Sequence, residues 1–181
     1  MTNSKRPVVN VEDVYGMRVR VMENKIHQEL WTALGADPVP MSWGDAYTGL
    51  QQGALDGQEN PPTVIDKNNV VEVNKNMAIT QHVYSTVFLI MSPQTWEGLT
   101  PEDQQLITEC MNRANLDERR LSRQMDKEAL DTLASKGMKI TYPNKEQFIA
   151  ATQGVREEFS GAFTDTLNRI KQTAVDIKEG E

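Results

Sequence analysis

The sequence predicts an α/β fold whose second half is mostly helical. Strand and helix patterns alternate through residue 91. A stretch of about 36 residues without glycine or proline follows Thr100-Pro101, and further helix-start signals recur toward the C-terminus. Three segments result: a lead-in over 1–16, an α/β lobe over 17–99, and a long helix, short strand and C-terminal helices over 100–181.

Residues 1–16 are polar, with Pro7 and the pair Glu12-Asp13, and read as extended chain. Met17 to Met22 alternates, with valine at every second site, which predicts a strand. Ile26, Leu30 and Ala33-Leu34 recur at helical spacing until Gly35, a C-terminal stop. Asp37-Pro38-Val39-Pro40 is extended, because a residue before proline is excluded from the helical region. Ser42 with Asp45 starts a helix over Trp43–Gln52, ended by Gly53. Pro61-Pro62 begins another, carried to about Glu72. Asn76 to Met91 is rich in β-branched and aromatic residues and reads as a long or broken strand. Ser92-Pro93 opens a turn of helix closed by Leu99.

Thr100-Pro101-Glu102-Asp103 combines a hydroxyl cap, proline at the first position and two acids at the positive dipole end. At 1.5 Å per residue the helix it starts is roughly 54 Å long, enough to span two lobes. Lys139–Tyr142 is a short strand. Asn144 with Gln147 caps the next helix, and an amphipathic helix covers about Thr164–Lys178. The terminal Lys178-Glu179-Gly180-Glu181 is expected to fray.

The charge balance, 26 acidic against 19 basic residues for a net −7, offers no basic stripe and argues against a nucleic-acid partner. Cys110 is the only cysteine and His27 and His82 the only histidines, so neither a disulfide nor a resident metal or other cofactor is expected. The apolar run Val87–Met91 is too short to span a bilayer, and no apolar core follows Lys5-Arg6 to make a signal peptide.

Three features point beyond stability. Arg20 lies near the carboxyl end of its predicted strand, where open α/β sheets bind ligands. A guanidinium there can grip a carboxylate with two parallel hydrogen bonds, although a surface pair with Glu12, Glu23 or Asp45 would explain the same residue. In Asp56-Gly57-Gln58-Glu59-Asn60-Pro61, Gly57 permits a turn and Pro61 holds Asn60 extended, so that its amide offers a placed donor and acceptor. A polar turn sealing a strand would look the same. Trp43, in the first turn of its helix, can wall a cleft or fill the core. Gln58, Glu23 and the hydroxyls of Tyr47 and Tyr84 complete the candidate set. Trp31 and Trp96 are assigned to packing, and Cys110 and His82 to structural roles. No catalytic motif occurs, although Asp56 and Glu59 could form an acid/base pair.

In order along the chain stand Gly16-Met17-Arg18-Val19-Arg20-Val21-Met22, Ala33-Leu34-Gly35-Ala36-Asp37-Pro38-Val39-Pro40-Met41 and Tyr47-Thr48-Gly49-Leu50-Gln51-Gln52-Gly53. The Asp56–Pro61 motif follows, and then Leu99-Thr100-Pro101-Glu102-Asp103-Gln104. This series resembles the solute-binding receptors of TRAP transporters, the DctP-like family, from about Thr2 to the C-terminus. The resemblance implies a periplasmic-binding-protein-like fold: a two-lobed receptor that closes on an organic acid, a dicarboxylate or sugar acid, and delivers it to membrane permease subunits. It places the carboxylate-gripping arginine on Arg20, the cleft aromatic on Trp43 and the ligand-contacting asparagine on Asn60. The family's lobe-spanning helix falls on Thr100–Gly137.

Family members begin with a signal peptide and most of a first lobe, so the chain is expected to be a truncated form that starts near the crossing into the second. A half-cleft surrounds its ligand poorly, which implies weak or undetectable binding by this chain alone and a homodimer or higher species through uncovered apolar surface. Two other readings stay open. One is a small enzyme acting on a carboxylate with Asp56 or Glu59 as base beside Arg20. The other is a helical interaction module with acidic faces.

Overall fold

The structure is a computed structural model that describes residues 1–179; Gly180 and Glu181, within the tail expected to fray, lie outside the described residues. Six strands form one mixed sheet: β1 (Thr2–Asn3), β2 (Arg18–Val21), β3 (Asp37–Pro40), β4 (Gly57–Gln58), β5 (Asn76–Ala78) and β6 (Lys139–Thr141). Their order is β3-β2-β4-β1-β5-β6. β2 runs parallel to both β3 and β4, and β5 parallel to β6, while β1 lies antiparallel between β4 and β5.

The helices are α1 (Lys25–Ala33), α2 (Trp43–Gln51), α3 (Pro62–Lys67), α4 (Pro93–Glu97), α5 (Pro101–Ser135), α6 (Lys145–Ala151), α7 (Gln153–Phe159) and α8 (Thr164–Glu179), with 3₁₀ turns at Val11–Val14, Val70–Glu72 and Gly161–Phe163. Asn24 caps α1 by accepting from the amides of Ile26 and His27, and Thr100 caps α5 by accepting from Asp103. Gly35 ends α1 at φ +82°, a conformation that favours glycine.

Two apolar clusters sandwich the sheet. Val14, Met17, Val19, Val21, Trp31 and Leu34 gather with Phe148 in one. Leu50, Leu55, Ile65, Met77 and Leu133 form the other. The alternation of Val19 and Val21 against Arg18 and Arg20 sends the valines into the first cluster and frees the arginines for the opposite face.

The lead-in is part of the sheet and its core rather than a loose extended run. Met1, Thr2 and Asn3 are fully buried, with Val8, Val11 and Val14 in the first cluster. A two-residue polar strand is stable there because both edges are paired and the Thr2 hydroxyl, Gln58 amide and Asn74 amide satisfy one another.

Gly57 sits in β4, not in a turn. A Cβ on it would stand 2.4 Å from the Thr2 carbonyl oxygen, so glycine is required by the close approach of β1. The strand expected over Asn76–Met91 stops at Ala78. Beyond it the chain has no regular structure through Ser92, and Val87, Phe88, Leu89 and Ile90 are exposed. High β-propensity makes a strand only where a neighbouring strand accepts its hydrogen bonds.

α5 has 35 residues, as the missing breakers predict, but it buries only Ala129 and Leu133. That C-terminal part docks on α3, where Asp126 accepts from Thr63 and Lys136 pairs with Asp66 at 2.6 Å. The helix after Pro61 is shorter than expected, ending at Lys67 before the 3₁₀ turn, because Asn69 takes a left-handed conformation at φ 50°. Trp31 is fully buried as assigned, whereas Trp96 is half-exposed in α4, which buries none of its residues.

Candidate functional site

The carboxyl ends of β2, β3 and β4 bring the candidate residues to one edge of the sheet. Arg20 stands opposite Gln58 in the parallel β2–β4 register and opposite Val39 in β3. Glu23 therefore follows β2, Met41 to Trp43 follow β3, and Glu59-Asn60 follow β4, all at the edge where such sheets bind ligands.

Arg20 is buried yet is not locked to an acid. Its Nε and Nη2 both donate to the Met41 carbonyl oxygen, at 3.0 and 2.7 Å. The guanidinium carbon lies 5.5 Å from the centre of the Trp43 ring, within cation–π range. Burial lowers its pKa, and the negative charges of Glu59 and Glu23 act in the opposite direction. An arginine remains protonated in any such setting. Two of its five N–H groups are spent on one neutral acceptor, and Nη1 makes no hydrogen bond among the described residues. The remaining donors suit an incoming anion.

Arg18, two residues earlier on the same face, is engaged instead. Its Nε and Nη2 reach the two carboxylate oxygens of Asp56 at 3.2 and 2.9 Å, and its backbone amide donates to the same group. Lys5 adds a contact at 3.2 Å. Burial alone would raise the Asp56 pKa, but the hydrogen bonds from Arg18 and Lys5 outweigh it and carry the group down to about 2. Asp56 is thus a permanent structural anion that ties β4 to β2, with no proton to exchange at neutral pH.

Asn60 is half-buried and donates from Nδ2 to Gln58 Oε1 at 2.8 Å; Gln58 passes its own amide to the Thr2 hydroxyl at 2.9 Å. This relay leaves the Asn60 carbonyl oxygen available and fixes where it points. Trp43 opens α2 and donates Nε1 to Asn68 at 3.3 Å, while Tyr47, one turn on, donates to Glu72 at 3.1 Å. With Gly44, Asn68 and Asn69 they line a hollow of about 390 Å³. Glu23 is exposed beside Arg20. Tyr84 is not brought to this group: it is highly exposed and lines a separate apolar groove between α1 and the C-terminal helices.

Three partners escaped the sequence reading. The Met41 carbonyl carries no side-chain signal, and Thr2 lies in a run without a hydrophobic pattern. His27 of α1 approaches Glu59, the residue after β4, only through the tertiary fold. Among the described residues, no three His, Cys, Asp or Glu side chains are grouped to hold a metal, and no helix is long and apolar enough to cross a membrane.

A model of the DctP family, described as bacterial extracellular solute-binding protein, family 7, matches residues 1–161. The chain belongs to this family. Among curated relatives, the sialic acid-binding periplasmic protein SiaP of Vibrio cholerae is 34% identical over 158 residues, covering 87% of this chain and 49% of SiaP. A TRAP periplasmic solute-binding protein of Xanthobacter autotrophicus, solved with β-D-galacturonate, superposes with a TM-score of 0.87 at 26% identity; the match covers 94% of this chain and 58% of that one. Its counterpart from Polaromonas, bound to D-erythronate, gives 0.84 at 34% identity, covering 90% and 54%. The chain thus spans about half the length of the curated relatives it matches. The family is one of periplasmic binding proteins and not of enzymes, which removes the reading of Asp56 or Glu59 as a catalytic base.

Proposed function

We propose that this chain supplies the carboxylate-gripping part of an extracytoplasmic receptor for a small organic acid, a dicarboxylate or sugar acid, which it delivers to TRAP-type membrane permease subunits. The observation that carries the reading is Arg20: a buried, charged guanidinium at the carboxyl ends of the parallel strands β2, β3 and β4, held by one neutral carbonyl and backed by an aromatic ring, with donors to spare. In this reading a ligand carboxylate takes the free donors of Arg20, the Asn60 carbonyl accepts from a ligand hydroxyl, and Trp43 covers the carbon skeleton. Gln58 orients Asn60, while Glu23 and Tyr47 border the site and Tyr84 reaches it only if its segment moves. The relatives named for sialic acid, galacturonate and erythronate all take acids of this class.

The test is titration of isotopically labelled chain with D-galacturonate, D-erythronate and uncharged D-galactose, followed by NMR. The acids are expected to shift the Trp43 indole and Asn60 amide signals and galactose to leave them in place. Equal responses to acid and neutral sugar would refute the assignment.

The same chain is proposed to self-associate. Val87, Phe88, Leu89 and Ile90 form a continuous apolar run in the open, a combination that soluble surfaces rarely leave uncovered. Light scattering is expected to report a dimer for the parent chain and a monomer for the F88D/I90D variant. A parent chain that stays monomeric over the same concentrations contradicts this.

A further inference from the structure

Behind the Arg20 edge lies a cluster that the ligand-gripping residues do not use. Glu59 is buried between two histidines whose side chains are only 12% and 13% exposed. His82 Nε2 stands 3.2 Å from one Glu59 oxygen and His27 Nδ1 3.6 Å from the other. His82 Nδ1 in turn faces the Thr80 hydroxyl at 2.7 Å. An ionised carboxylate only accepts, so the neutral His82 ring carries its hydrogen on Nε2 and takes the Thr80 O–H at Nδ1. His27 Nδ1 is buried and has no hydrogen-bond partner. A buried ring nitrogen without a partner, 3.6 Å from a carboxylate oxygen, marks a place where a proton could complete a hydrogen bond.

We propose that His27, Glu59 and His82 form a proton-accepting cluster that sets the charge of the Arg20 site, so that a carboxylate ligand binds more tightly as the cluster takes up a proton. With both rings neutral, the cluster holds the single negative charge of Glu59, which acts on Arg20 and opposes a second carboxylate there. One proton on either ring cancels that charge without disturbing the Arg20–Met41 contact. By linkage, a ligand carboxylate bound at Arg20 must draw a proton onto the cluster to the same extent. The inference rests on the reading of Arg20 given above.

The charges facing Glu59 come from every side. His27 approaches from α1, His82 from the segment after β5, Arg20 from β2, and from beside β1 the buried Met1 amino group, which donates to Ala78 and whose pKa burial lowers from 8.0 to about 6 against the pull of Glu59. Glu23 acts on Arg20 from beyond β2, and Lys145 of α6 lies near His82 but is bonded to Gln81. Burial would raise the Glu59 pKa, yet the hydrogen bond from His82 and the charges around it bring it below the ordinary range, so Glu59 stays ionised at neutral pH. Burial lowers the His82 pKa against the pull of Glu59, so that ring is neutral at pH 7 and gains its proton on acidification. A sugar acid remains ionised throughout this window, since free carboxyls of its type titrate at about 3.5.

The experiment measures D-galacturonate binding to the whole chain by NMR from pH 8 to pH 5.5, with the C–H signals of both histidine rings followed in the same spectra. Affinity is expected to rise roughly three- to tenfold toward the acidic end. Ligand should also move the midpoint of at least one histidine titration to higher pH. The H82Q and H27Q variants should flatten the profile singly or together, and E59Q should abolish it. Binding that is independent of pH overturns the cluster's role while leaving the Arg20 reading intact. Proton uptake with both rings unmoved places the proton on the Met1 amine and overturns it as well. Absence of any acid-specific response across the range refutes the Arg20 reading itself. The ring titrations in the parent chain decide the matter even if a variant fails to fold.

Discussion

Replacing Arg20 by alanine is expected to lower affinity for a sugar acid by about two orders of magnitude, and for a weak ligand to remove detectable binding. Each charge-assisted hydrogen bond contributes about 1.5–3 kcal/mol, and a bidentate grip supplies two. Loss of a hundredfold corresponds to about 2.7 kcal/mol, just under the low end of that total. Lysine at the same position keeps the charge but not the fork, so R20K is expected to recover only part of the affinity. Arg18 provides the control. It lies on the same strand and face, but its guanidinium is committed to Asp56. R18K is therefore expected to change stability more than binding. Titration of the three variants with D-galacturonate distinguishes these outcomes, and an R20A chain that binds like its parent would remove the basis of the proposed function.

The Asp56→Asn substitution is expected to cost about 2–3 kcal/mol of folding stability at neutral pH. Asp56 is almost fully buried and serves the Arg18 guanidinium, the Arg18 amide and Lys5 at once. Its pKa falls from 3.8 to about 2 in the folded chain. A depressed carboxylate pKa contributes stability that is complete above the unfolded value and is lost as pH falls through the folded one. The parent chain should therefore lose this contribution between about pH 4 and about pH 2, whereas D56N has none to lose there. Urea unfolding at neutral pH should show the full difference between the two chains, and the gap should close at the acid end. Thermal midpoints should differ by roughly 5–10 °C at neutral pH for a chain of this size. Equal stabilities at neutral pH would mean that Arg18 and Asp56 gain nothing over their hydration.

Much of this architecture was legible because its signals are local. The alternation of Met17–Met22 depends on successive side chains of one strand and survives in β2. The start of α5 is written in four adjacent residues, and its length follows from the absence of any breaker before Gly137. Where the outcome depended on a distant partner, local signals pointed elsewhere. Thr2-Asn3 has no apolar pattern, yet it is a central strand because β4 and β5 close on it from both sides. Val83 to Met91 has the composition of a strand but pairs with no neighbour among the described residues. Gly57 looked like a turn residue, and its true constraint is a carbonyl 55 positions earlier in the chain.

The candidate site divides in the same way. Its chemical types, an arginine near a strand end, an aromatic opening a helix and an amide pinned before a proline, are properties of short segments, and the ordered motifs carrying them were enough to mark the family. What the residues alone left undecided was whether Arg20 is free for a ligand or paired with Glu12, Glu23 or Asp45. The neighbouring strands settle it: Asp56, just before β4, meets Arg18, whereas the hydrogen-bond partner of Arg20 is the neutral Met41 carbonyl that follows β3. Composition and periodicity set what each segment can form by itself. Pairing between strands sets which charges are already spent, because electrostatic neutralisation acts over a few ångströms in space and takes no account of separation along the chain.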